Sequence, residues 1–289
     1  MTARKHLTQC TGQFAGRIAV AALLLAAALS LDAQPQTAPA ASPQARQIIL
    51  AAVRAELDAD ENDHSRWRYR DEETSEKYPN GAVSIVVQTD AGAVRRYISR
   101  SGHPLSADEA ATEDTRLNEF IHDSAKIVHQ RNNGAQDDKN ARELLNMLPD
   151  AFTWRIEDDN PYATRLHFEP DPNFHPPSMQ SRVLSAMNGT LVVDKSQHRI
   201  ETISGTLTHD VVFGFGVLGR MREGGTFRVE RHEITPGLWQ IVETHVHIEG
   251  KALLFKSIGQ QEDEVQTEWT SVPGNTTLEQ AIQLSHPKP

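Results

Sequence analysis

The chain is 289 residues long, carries a formal net charge of −10 and contains one cysteine, Cys10. Acidity of this size argues against nucleic acid as a partner, since the phosphates would repel the protein. Everything after Cys10 lacks a thiol, which excludes disulfides, thiolate metal ligands and cysteine catalysis there.

Arg4, Lys5 and Arg17 form a basic stretch ahead of and at the start of an uncharged apolar run, Ile18 to Leu31. The run is shorter than the roughly 20 residues of a membrane-spanning helix. Leu31-Asp32-Ala33 offers a cleavage site before Gln34, so residues 1–33 are expected to be a signal peptide. Its removal takes away three basic residues and one acid, moving the net charge from −10 to −12. The expected location is periplasmic or secreted, with no stable transmembrane segment after processing. Residues 34–43, rich in Pro, Ala and Gln, read as a flexible linker.

Residues 44–289 are expected to form a single α+β domain, with a helical and short-strand part at 44–150 and a sheet-rich part at 151–270. Pro43 opens a helix whose apolar stripe is Ile48, Ile49, Ala52, Val53 and Leu57. Trp67 and Tyr69 alternate with arginines in a short β piece. Gly81 to Thr89 and Ala93 to Ser99, around Asp90-Ala91-Gly92, read as a hairpin. Ser106 and Glu109 form a capping box for a helix that Asn132-Asn133-Gly134 should end. A second helix, Asp137 to Leu148, should stop at Pro149.

From Phe152 onward strand patterns dominate, at 152–157, 164–169, 189–194, 199–208, 211–217, 226–234, 238–248 and 252–259, with a short helix at 178–186. Turn residues every 8 to 12 positions predict an antiparallel meander with neighbours pairing. In the last hairpin the apolar positions are odd on one strand, Phe227 and Val229, and even on the other, Leu238, Val242, Val246 and Ile248. Residues directly opposite share a face, so their numbers must sum to an odd value. A two- or four-residue loop around Thr235-Pro236-Gly237 provides that, and Arg228, Glu243 and His245 then share the other face.

The succession Asn188-Gly189-Thr190, His198-Arg199-Ile200, Val211-Val212-Phe213-Gly214, Gly224-Gly225-Thr226-Phe227, Trp239 and Gly250 to Lys256 resembles a group of secreted bacterial proteins of unknown function. Their sheet is similar to that of the LolA and LolB lipoprotein carriers. The resemblance runs from about Phe152 to Trp269, with a looser fit at Gly92 to Ser106. It implies a curved antiparallel sheet, a LolA-like half-barrel, packed on two or three helices, with an apolar concave face that holds acyl chains. It assigns no catalytic residue.

Gly214-Phe215-Gly216-Val217-Leu218-Gly219 spells a dinucleotide fingerprint, but it lies between strands instead of opening a helix, so it reads as a bend or bulge. His245 and His247 point to one face of a strand with Glu243 and Glu249, and read as a solvated polar face; no metal and no cofactor are expected. The large aromatics of the sheet half, Trp154, Phe168, Phe213, Phe215, Phe227, Trp239 and Phe255, either fill a core or line a ligand groove. The reading adopted is an exported, non-enzymatic envelope protein that binds a lipid or an acylated protein in the concave face. Two alternatives stay open: a metal-binding protein or hydrolase using the His245/His247 face, and a structural or assembly scaffold. N-terminal sequencing of the exported protein should begin within a few residues of Gln34; a chain still starting at Met1 would exclude cleavage.

Overall fold

The computed structural model describes residues 42–213, 219–252, 256–257 and 260–287. The expected signal peptide and most of the linker lie outside the described residues, as do Phe215 and Phe255. Ser42 caps α1 (Pro43–Asn62): its hydroxyl accepts from the Ala45 amide, and Pro43 occupies the first turn, where a missing N–H costs nothing. Strands β1 (Arg66–Ser75), β2 (Ala82–Thr89), β3 (Gly92–Arg100) and the short β4 (His103–Pro104) follow. Then come α2 (Ala107–His122), α3 (Ser124–Ala151), β5 (Phe152–Asp159), β6 (Ala163–Pro170), α4 (Met179–Leu184), β7 (Met187–Asp194) and β8 (Ile200–Leu207). The chain continues through β9 (Val211–Phe213), β10 (Gly219–Met221), β11 (Thr226–Thr235), β12 (Leu238–Ile248), β13 (Gly250–Ala252), β14 (Lys256–Ser257), β15 (Gln260–Val272) and α5 (Leu278–Leu284).

The fold is α+β. Eleven strands form one antiparallel sheet in the order β4-β3-β2-β1-β15-β12-β11-β8-β7-β6-β5, and β14-β13-β10-β9 make a small second sheet. Neighbours in sequence mostly pair, as expected, with one decisive departure. β15 inserts between β1 and β12, joining the two ends of the chain in the middle of the sheet. The sequence reading placed its last strand at 252–259 instead; that segment contributes β13 and β14 to the small sheet.

The helix boundaries also differ. The capping box at Ser106 and Glu109 forms as expected. The break comes at Asp123, whose carboxylate accepts from the Lys126 amide, and α3 then runs unbroken through Asn132-Asn133-Gly134. A helical glycine costs about 1 kcal/mol, which the burial of Leu144 and Leu148 further along outweighs. Pro149 sits in the last turn, where it deletes only one ladder bond.

One row of directly opposite residues crosses eight strands: Trp154, Phe168, Gly189, Gly205, Phe227, Val246, Glu262 and Ser75. Directly paired residues share a face, so this row defines an inner face. There Phe152, Trp154 and Phe168 cluster with Leu166, Leu191 and Phe227 beneath Ala45, Ile49, Ala52 and Val53 of α1 and Leu148 of α3. Gly189 and Gly205 are required here. A Cβ on Gly189 would meet the Phe168 ring at 2.9 Å, and one on Gly205 the Phe227 ring at 2.6 Å. The outer face carries a second core where Ile85, Val87 and Val94 meet Leu117 of α2 and Ala281 and Ile282 of α5.

The sheet edge at β3 is closed by side chains. Gln130 of α3 donates to the Ala93 carbonyl and accepts from the Ala93 amide, as a neighbouring strand would. Glu113 of α2 accepts from the Tyr97 amide, and Arg116 donates to the Arg95 carbonyl. An edge satisfied in this way offers no template to another chain.

The β11–β12 register has the expected odd sum. Phe227 lies opposite Val246 and Arg228 opposite His245, and Pro236-Gly237 forms a two-residue loop between Thr235 and Leu238. Gly237 takes φ +81°, and two bulges shift the pairing locally between Glu230 and Thr235 and then restore it. Phe227 is 8% exposed on the inner face. Replacing it with Ala should cost about 3 kcal/mol, measured by urea unfolding; a loss below about 1 kcal/mol would contradict its place in the core.

Candidate functional site

The inner face is not fully sealed. Between it and the helices α1 and α3 lies a cavity of about 460 Å³. Ile203, Phe227, Val229 and Val246 form its sheet wall, Leu144, Leu145 and Leu148 its α3 wall, and Met187 and Ile200 its inner end. This volume falls within the range of small-molecule sites, roughly 300–1,000 Å³. Its lining also carries seven charged side chains: Glu56 and Asp60 from α1, Asp63 just after it, Asp138 and Arg142 from α3, and Arg199 and Arg231 from the sheet side.

The charges are graded with depth. Arg142 pairs with Asp60 at the exposed rim. Deeper in, Glu56 is 5% exposed and is held by several donors. Arg199 Nε and Nη2 reach its two oxygens at 3.1 and 3.0 Å, and the Ile200 amide donates to Oε1 at 2.7 Å. Arg231 adds an ion pair to Oε2. Burial alone would raise the Glu56 carboxyl. The Arg231 charge and the guanidinium hydrogen bonds outweigh it and hold the carboxyl below its ordinary value. Arg199 lies 5.9 Å from the centre of the Trp239 ring, and Trp239 Nε1 donates to Gln197 Oε1. The cluster fastens the far half of α1 to β8 and β11, while the apolar stripe of the helix fastens the near half to the aromatic core.

Of the aromatics named from sequence, Phe227 and Trp239 line the cavity. Trp154 and Phe168 pack with Phe152 in the core beside it, and Trp154 Nε1 donates to the Leu148 carbonyl. Phe213 ends β9. The sequence reading missed Glu56, Arg199 and Arg231. The signal for Glu56 was present: it falls seven residues after Ile49 and three after Val53, on the apolar stripe itself, where an acid needs a partner. No comparable signal marks the two arginines, which only the sheet register brings to it.

His245 and His247 lie on the outer face. Asp263 Oδ1 sits 2.7 Å from His245 Nδ1 and 2.9 Å from His247 Nε2, and Glu243 Oε2 lies 3.3 Å from His245 Nε2. The hydrogen bond to Asp263, with help from Glu243, raises the His245 imidazole above its ordinary value. Among the described residues, no group of three or more His, Cys, Asp or Glu side chains is arranged to hold a metal ion. No helix among them is long and apolar enough to cross a membrane. No protein family, curated protein or solved structure matches the chain.

Glu56→Gln should remove about 3 kcal/mol of stability by leaving Arg199 and Arg231 buried without their counter-charge. Because the folded-state carboxyl titrates below its ordinary 4.5, its contribution is complete above that pH and is lost as the pH falls through the folded value. Urea midpoints measured from pH 7 to pH 3 should therefore fall more steeply in the wild type than in Glu56→Gln; parallel curves would contradict a charged Glu56.

Proposed function

We propose that this chain is an exported, non-enzymatic envelope protein that binds the acyl chain of a lipid or of an acylated protein between its sheet and its helices. The observation that carries the reading is the apolar cavity under α1 and α3, walled by leucines on one side and by Phe227, Val229 and Ile203 on the other. A basic stretch followed by an uncharged apolar run, Ile18 to Leu31, supports export.

A half-barrel of the LolA type is part of this proposal, and the path of α3 supports it. Ala93 of β3 and Phe152 of β5 are nine inter-strand steps apart in the sheet order. In a flat sheet nine steps span about 43 Å. Yet α3 connects Gln130, which is bonded to Ala93, with Phe152 over 22 residues. That is about 33 Å of helix. That leaves about 10 Å for the Gln130 side chain and its hydrogen bonds, close to their full reach, which supports a sheet that curves toward α3. The paired glycines at 189 and 205 support such bending, because they put no side chain on the inner face where neighbouring backbone and rings approach closely.

A fluorescent apolar probe, N-phenyl-1-naphthylamine, should bind the processed protein and be displaced by long-chain lipids. Leu145→Trp, which fills the cavity from the α3 side, should weaken that binding at least tenfold while the melting temperature stays within a few degrees. Unchanged binding in the variant, or no binding in the wild type, would remove the reading.

A further inference from the structure

The charges at the polar end of the cavity do not balance locally. One carboxylate, Glu56, faces two guanidiniums, Arg199 and Arg231. Arg199 spends its fork on Glu56 and is 8% exposed. Arg231 is 17% exposed and lines the cavity, and its ion pair with Glu56 is its one polar side-chain contact among the described residues. A guanidinium carries five N–H donors in a planar fork that fits carboxylates and phosphates. Most of those of Arg231 are therefore open to a ligand.

Two of the other three acids around the cavity are engaged. Asp60 pairs with Arg142, and Asp63 accepts from the Ser65 amide and from the Gln240 side chain. The third, Asp138, has its carboxyl raised from the ordinary value by burial and by the Asp60 charge, with Arg142 acting against them. The cation with donors to spare for an incoming anion is therefore Arg231, beside the apolar wall.

We propose that the ligand is an anionic single-chain amphiphile, with its tail along Leu145, Leu148, Ile203 and Phe227 and its carboxylate or phosphate on Arg231. This deepens the acyl-chain reading and rests on it. The geometry that makes the site is a second arginine, Arg199, which donates to both Glu56 oxygens and so lets Arg231 share its fork between Glu56 and the ligand.

Calorimetric titration of the processed protein with dodecanoate, its methyl ester and dodecyl phosphate, each below its micelle concentration, separates the parts. The anions should bind at least tenfold more tightly than the ester, as a charge-assisted hydrogen-bond pair predicts, and the tighter of the two anions identifies the headgroup as carboxylate or phosphate. Arg231→Gln should cancel the preference by weakening the anions about tenfold with the ester unchanged, and Arg231→Lys should restore part of it. Equal affinity for dodecanoate, dodecyl phosphate and ester in the wild type overturns the anion inference while leaving the acyl-chain reading in place, and needs no variant. Equal weakening of anions and ester in Arg231→Gln also overturns it. Binding of none of the three overturns both.

Discussion

The structure depends on the pairing of β15 with β1 on one side and β12 on the other. Remove β15 from the sheet order and two pieces remain, β4-β3-β2-β1 and β12-β11-β8-β7-β6-β5. Each piece is a local meander, but the ladder between them joins residues as far as 206 positions apart, Arg66 and Val272. Contacts of that separation carry a loop-closure cost before they return anything. The C-terminal helix secures the junction: Arg68 donates to the Leu284 and His286 carbonyls, and Arg96 donates to Ser285 Oγ. The two Arg68 bonds satisfy carbonyls at and just past the end of α5 that have no partner within the helix. At the same junction Trp269, placed by a bulge in β15, stacks on Tyr69 at 4.4 Å and meets Trp67 edge-on.

Because the sheet is continuous, the helices can be held at points far apart along it. α3 is tied to the β3 edge by Gln130 and to β5 by its own chain. α1 is tied by apolar contacts at one end and by Glu56 at the other. A charged anchor is a poor source of stability, since desolvation of the three groups offsets much of their attraction. It does fix position. An acid that must meet two guanidiniums admits one placement of α1 over β8 and β11, whereas a leucine there would allow the helix to slide and settle onto the sheet.

Much of this was legible in the sequence, and the rest was illegible for identifiable reasons. The α+β class, α1, the hairpins, the Ser106/Glu109 cap and the odd register of Phe227 against Val246 all follow from local patterns with a fixed period. β15 was missed because it opens with Gln260-Gln261-Glu262-Asp263-Glu264, a run that reads as solvated surface. In the fold Glu262 and Glu264 are buried on the inner face, beside the buried Asp71 and the cationic Arg95. Tertiary pairing overrode composition, as it did where α3 passed through Gly134. Of the seven aromatics named from the strand patterns, two, Phe227 and Trp239, line the cavity. The charged half was hidden, because Glu56, Arg199 and Arg231 are separated by up to 175 positions and nothing local relates them.

The size of the cavity decides how it must be regarded. In a buried apolar void the stability lost grows by about 24 cal/mol per Å³. For 460 Å³ that would come to about 11 kcal/mol, the whole stability of an ordinary domain. A dry void of this kind could not persist. The exposed Arg142 and Asp60 at the rim and the polar cluster inside admit water, which removes most of that penalty. The result is an apolar wall that solvent can reach, beneath helices anchored at points far apart. Water against leucine and phenylalanine is unfavourable by roughly 25 cal/mol per Å². Under the proposed function, an acyl chain that displaces this water would gain binding free energy from a cost the folded protein already carries.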